Sequence, residues 1–151
     1  MKTTLVVPGH IADRVRDLAR SEVETGGVLL ASLVRTQAGD IRLLATELHE
    51  VPDDAYEKRE AQQLLIGSHG YVPALARAEE VQAVPIWFHT HPGKASSPRK
   101  SKHDKVVDNQ LSDLFRLRAD SDYYGALIVS IDGDVLNFTG HLDDGDNVTV
   151  R

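Results

Sequence analysis

Between Val84 and Gly93 the chain reads VPIWFHTHPG, an apolar run of strand length that ends in two histidines one residue apart and is then cut by Pro92 and Gly93. Side chains alternate faces along a strand, so His89 and His91 project to the same side and any fold must bring both imidazoles to one end of that strand. The flanking sequence alternates between the two regular periodicities. Leu5 to Val7 is a short apolar run, and after Pro8 the residues Ile11, Val15 and Leu18 recur at helical spacing. VLLASLV, following Gly26-Gly27, suits a buried strand, with Asp40 to Leu48 as its hairpin partner across a turn at Gly39. Pro52 to Glu60 reads as a polar loop, QLLIG is ambiguous, and Val72 to Gln82 is a helix with Pro73 in its first turn.

From Ser101 to about Ala119, Val107, Leu111 and Leu114 mark one face of a further helix. YGALIVS and VLNFTG form a hairpin around Asp132-Gly133, and the acidic, then apolar tail HLDDGDNVTVR offers one more edge strand. The expectation is a single α/β domain over residues 1–151, with a central sheet flanked by about three helices.

Composition narrows the chemistry. With 17 Lys+Arg against 23 Asp+Glu the net charge is −6, which argues against the broad positive field of a nucleic-acid binder. There is no cysteine, so disulfides, thiolate metal sites and thiol nucleophiles are excluded, and any metal must sit on His, Asp or Glu. No apolar run reaches the length of a signal peptide or a membrane span, so a cytoplasmic, prokaryotic protein with no membrane partner is expected.

The segment WFHTHPGKASSPRKSKHD holds the best candidate site. Two imidazoles on one strand face can bind one metal, and a helix starting near Ser101 would bring Asp104, in its first turn, back toward the strand end as a carboxylate ligand. Two imidazoles, a carboxylate and a water make the open tetrahedral site of a hydrolytic zinc enzyme. Taken singly, the His-x-His pair also fits ordinary surface polarity, and Ser101 with Asp104 also fits a helix-capping pair. Their joint order is what favours the metal. Glu22 and Glu24, two residues apart, are both candidates for an acid/base, and periodicity does not choose between them.

HTHP, followed by SKHD and preceded by ETGGVLLA, resembles the metalloprotease motif of the JAMM/MPN+ (Mov34/JAB) family: an upstream Glu, then His-x-His-Pro, then Ser-x-x-Asp. The likeness runs from about residue 5 to about residue 140 and is closest to the prokaryotic stand-alone JAB-domain type. It implies an MPN (JAB)-like domain with a central mixed β-sheet and a cytidine-deaminase-like architecture. It also implies Zn2+ on His89, His91 and Asp104, Glu24 as the general acid/base, and Ser101 helping to hold the oxyanion. Because the family places its Glu directly before the small, apolar strand start, the resemblance selects Glu24, leaving Glu22 to the end of the first helix. The chain departs in one respect: nine residues separate His91 from Ser101, where the family usually has seven.

The resemblance further implies a zinc-dependent peptidase or isopeptidase that cuts after the C-terminal glycine of a ubiquitin-like protein. Such relatives accompany ubiquitin-like proteins with their activating or conjugating enzymes, including in antiviral defence operons. Two alternatives remain at this point: a peptidase that processes a sulfur-carrier protein, and a non-catalytic MPN scaffold. Lys94, Arg99, Lys100, Lys102 and Lys105 crowd the same segment, either as a solvated loop or as a surface for an acidic partner. His103 adjoins Asp104, but adjacent positions at a helix start point in different directions, so it is left out of the ligand set; His10, His49, His69 and His141 read as surface or locally bonded histidines, and Asp143, Asp144 and Asp146 lack the terminal Glu of a calcium loop.

Overall fold

The computed structural model describes residues 2–59, 64–92 and 102–144, with the backbone alone for 102–109. Its elements run in the order β1 (Thr3–Val6), α1 (Gly9–Ala19), β2 (Gly26–Arg35), β3 (Ile41–Glu50), β4 (Tyr56–Arg59), β5 (Leu64–Ile66), α2 (Val72–Val81), β6 (Val84–Thr90), α3 (Lys102–Ala119), β7 (Tyr124–Asp132) and β8 (Val135–Asp143). Six strands form one mixed sheet in the order β1-β3-β2-β6-β7-β8. The β1–β3 and β6–β7 pairs are parallel and the others antiparallel. This is the expected α/β domain with a mixed sheet and three helices.

The sheet is covered on both sides. On one face α1 packs Ile11, Val15 and Ala19 against Leu29, Ala31, Ile41 and Phe88. On the other, α2 and α3 bring Leu75, Ala78, Leu111 and Phe115 onto Val28, Leu30, Trp87 and Tyr124. Neighbours Leu29 and Leu30 thus enter opposite layers, as strand alternation requires. All seven residues of β6 are buried, the continuous pattern of a strand with no solvated face. On the α3 side Phe115 sits at the centre of an aromatic group, 6.5 Å from the Trp87 ring and 5.4 Å from those of Tyr71 and Tyr124. It locks α3 to the face of β6 from which His89 also projects.

Two glycines let β6 lie against β2. Gly26 pairs with His89 and Gly27 with Phe88 across the ladder. A Cβ on Gly26 would come within 2.7 Å of the Trp87 ring, and one on Gly27 within 2.5 Å of the Phe88 ring. The glycines are therefore the first residues of β2 rather than a turn in front of it.

The expected hairpins β2–β3 and β7–β8 are present, with Gly39 (φ 85°) and Gly133 (φ 61°) supplying the left-handed turn residues. One expectation is corrected. Residues 52–59 are not a plain loop: after a 3-10 turn at Asp53–Ala55, Tyr56–Arg59 becomes β4 and pairs with β5, so Leu64–Ile66 of the ambiguous QLLIG is strand. The hairpin is anchored from below, since Ala55 is fully buried and Leu64 nearly so. At the C-terminal end β8 extends through Asp143, Asp144 is outside any strand, and residues 145–151 of the proposed tail strand lie outside the described residues.

A parallel β6–β7 pair needs a crossover connection, and α3 supplies it. The helix runs back along the sheet, so it begins on the side where β6 ends.

Candidate metal centre

His89 lies in the last turn of side-chain alternation in β6, and His91 follows the strand directly. The backbone N–H of His91 donates to the carbonyl of Val129 at 2.8 Å, so the β7 edge keeps it extended after the strand itself has ended. With Thr90 between them facing the opposite way, the two imidazoles converge, ring centroids 4.9 Å apart and Nε2 to Nε2 3.1 Å.

Glu24 meets them from the neighbouring strand entrance. β2 and β6 pair up to Gly26–His89, and the pairing carries on irregularly: Thr90 N–H donates to Thr25 O at 2.8 Å and Thr25 N–H to Thr90 Oγ1 at 2.9 Å. This brings the Glu24 carboxylate to the same point, Oε1 being 3.5 Å from His91 Nε2 and 3.9 Å from His89 Nε2. Glu24 is 3% exposed and His89 6%. A carboxylate withdrawn this far from water needs cationic or hydrogen-bonding company, and two imidazole nitrogens aimed at it provide that company.

The donor set suits a metal ion. With metal–nitrogen bonds of about 2.0–2.1 Å, a tetrahedral ion holds its ligand atoms about 3.3–3.4 Å apart. The three separations here, 3.1, 3.5 and 3.9 Å, bracket that edge length, and one ligand atom from each of Glu24, His89 and His91 falls within 4.8 Å of the others. Glu24, His89 and His91 can therefore bind a metal ion together. At these distances Glu24 can either ligate directly or reach a water on the ion.

Burial separates the two acidic candidates that the sequence offered. Glu22 is exposed in the bend after α1, which ends at Ala19 before reaching it, whereas Glu24 is buried against the histidines. Asp104 belongs to the first turn of α3 by its backbone, and its side chain lies outside the described residues. Ser101 lies outside them altogether, as do Lys94, Arg99 and Lys100; the side chains of Lys102, His103 and Lys105 are likewise not described.

The four other histidines whose side chains are described take no part in the centre. His10 is exposed, His49 contacts Glu47 at 3.0 Å, His69 lies 3.8 Å from Asp54 and His141 packs against the Tyr124 ring. Asp143 is tied to α3 by the Ser112 hydroxyl, which donates to it at 2.6 Å.

Compared with known proteins, the chain matches no family model and no curated sequence.

Four residues around the centre were not singled out in the sequence. Thr25 and Thr90 fasten the Glu24 segment to β6, and Tyr56 and Arg59 of β4 reach the same segment from the far side. The Tyr56 hydroxyl accepts from Gly26 N–H at 3.0 Å, and its burial raises its pKa above the usual tyrosine value, which keeps it protonated. The threonines had a signal of sorts, since each adjoins a proposed functional residue in the chain. Tyr56 and Arg59 had none, because they sit in a polar run with no strand periodicity.

Proposed function

We propose that this chain is a zinc-dependent metallopeptidase of the JAMM/MPN+ type, with an MPN-like domain, acting in the cytoplasm on the C-terminal glycine tail of a ubiquitin-like protein. The observation that carries the reading is the buried Glu24 carboxylate set 3.5–3.9 Å from two convergent imidazole nitrogens. Such a place suits a general base, which needs to be near its proton and shielded from water.

His89 and His91 would hold the metal through Nε2, and Asp104, carried by the first turn of the crossover helix, would supply the third ligand. Bound there, zinc supplies Lewis acidity, bringing the pKa of a water toward neutrality and polarising the scissile carbonyl. Glu24 takes the water's proton on a carboxylate oxygen and later returns it to the departing amine nitrogen. The low exposure of Glu24 and His89 keeps bulk water from competing for that proton. Ser101 would donate its hydroxyl to the developing oxyanion, a contribution worth about 10²- to 10³-fold in rate.

Ubiquitin-like substrates offer a thin, extended Gly-terminated tail, which suits a narrow site at the end of a strand. Deconjugation and precursor processing share this chemistry. The test is to incubate the zinc-loaded protein with ubiquitin-like proteins, each fused through its C-terminal Gly to a reporter, and to read the cut by intact mass. Cleavage directly after that Gly, abolished by Glu24→Gln, supports the proposal. Cleavage that survives Glu24→Gln would overturn it.

A further inference from the structure

Glu24 stands in a stretch, residues 20–25, that belongs to no helix or strand. A single backbone bond, from Thr90 N–H to Thr25 O at 2.8 Å, stands in for a ladder here, so side chains share in the aiming. Arg59 of β4 grips this stretch with a fork. Its Nε donates to Glu24 O at 3.1 Å and its Nη2 to Thr25 Oγ1 at 2.7 Å. The guanidinium lies 4.4 Å over the Tyr56 ring, and the Tyr56 hydroxyl bonds the next residue, Gly26. One strand of the small hairpin thus holds three consecutive residues, Glu24, Thr25 and Gly26, from the side opposite Thr90. An exposed aspartate, Asp53, is the arginine's ion-pair neighbour, at a long 3.7 Å. That contact is too solvated to explain why the guanidinium is turned inward.

We infer that Arg59 is a positioning residue for Glu24: it holds the Glu24 carbonyl and the Thr25 hydroxyl so that the Glu24 carboxylate stays in reach of an ion held by His89 and His91. The inference rests on the reading of Glu24 as the base. A planar guanidinium satisfies two acceptors at a fixed separation and stacks on an aromatic ring at the same time, which a lysine ammonium does not reproduce. Displacing a base by about 1 Å can cost up to about 10²-fold in rate, so a clamp on its backbone is worth having even though it never touches substrate.

Two readouts test this on Arg59→Ala, Arg59→Lys and Glu24→Gln. The first is amide hydrogen exchange in the metal-free protein. Arg59→Ala is expected to speed exchange at Thr25 and Gly26 by about tenfold or more while Leu29 and Leu30, deep in the β2 ladder, keep their wild-type rates. The second is turnover of a peptide ending in Gly-Gly and amide-linked to aminocoumarin. Here kcat should fall by about tenfold or more with KM nearly unchanged and zinc content intact, added guanidinium ion should restore part of the loss to Arg59→Ala, and Arg59→Lys should remain impaired. If Arg59→Ala loses the fold, seen as fast exchange at Leu29 and Leu30, Arg59→Lys carries the same comparison. Unchanged exchange at Thr25 and Gly26 overturns the inference, as does full turnover in Arg59→Ala when Glu24→Gln is inactive. Full turnover in Glu24→Gln instead removes the reading of Glu24 itself. A wild-type protein that leaves the peptide uncut counts against the peptidase reading, and amide exchange then decides the role of Arg59 alone.

Discussion

Replacing Thr90 by valine should destabilise the protein without emptying the metal site, and the size of the effect follows from one hydrogen bond. Thr90 is 0% exposed and Thr25 3%, and the Thr90 hydroxyl oxygen accepts the Thr25 N–H at 2.9 Å. Valine matches the shape and strand preference of threonine, so what changes is the acceptor. A buried N–H left without one costs about 1–3 kcal/mol. For 151 residues the unfolding entropy is about 0.3 kcal/mol/K, so the melting temperature should drop by about 3–9 °C. Thr90→Ser keeps the oxygen and loses a methyl group, costing about 1 kcal/mol. The imidazoles should stay in place, because His91 is tied to Val129 by its own backbone. The assay is thermal and urea unfolding of both variants, with zinc content measured alongside. A Thr90→Val protein as stable as wild type, or less damaged than Thr90→Ser, would refute the argument that this bond fastens the Glu24 segment to β6.

Other consequences can be checked on the same preparations. Gly27→Ala places a Cβ 2.5 Å from the Phe88 ring inside a packed layer, so a loss of about 1–3 kcal/mol in urea unfolding is expected; a neutral change would mean that β2 and β6 are less closely apposed. Helix α2 ends on Gln82 with φ 56°, a left-handed position, and Ala83 N–H closes the turn on Ala78 O at 2.9 Å. Gln82→Gly should therefore add about 1 kcal/mol to stability, and a lowered melting temperature would contradict that account of the cap. Hydrogen bonds from Arg77 and then His49 hold the Glu47 carboxyl below the usual 4.5, and one from Arg14 does the same for Glu50. Depressed folded values mean stability that is present above the unfolded pKa and lost as pH falls below it toward the folded values. The double variant Glu47→Gln/Glu50→Gln should accordingly lose melting temperature less steeply below about pH 4.5 than wild type, and parallel curves would show that these exposed pairs contribute nothing.

The central layer of the fold is legible in the sequence because its strands are apolar and buried. VLLA and VPIWFH carry enough hydrophobicity to be placed without tertiary information, and the glycines at 39 and 133 mark their turns. The β4–β5 hairpin is not legible, since Tyr56–Arg59 presents one aromatic and three charged side chains and owes its strand form to the partner Leu64–Ile66 and to the buried Ala55 beneath. The role of Phe115 on α3 is not legible either, because it depends on Trp87 and Tyr124 arriving from two strands, β6 and β7.

The candidate site divides in the same way. The His89–His91 pair follows from strand alternation alone. The choice of Glu24 over Glu22 came from the motif, and its physical reason, burial beside the imidazoles, depends on how residue 25 pairs with residue 90 across the sheet. Such long-range pairing leaves no periodic trace in the chain. Arg59 illustrates the limit, for a residue 35 positions from Glu24 acquires its role only when the hairpin folds back.

The most direct test of the metal-centre claim is the zinc stoichiometry of the purified protein, measured by elemental mass spectrometry for wild type, His89→Ala, His91→Ala and Glu24→Gln. The account predicts about one zinc per chain in wild type, a similar content in Glu24→Gln, and loss of most of the metal in either histidine variant. Full stoichiometry retained in both histidine variants would contradict it, because the metal would then sit elsewhere and the convergence of His89 and His91 on Glu24 would need another explanation.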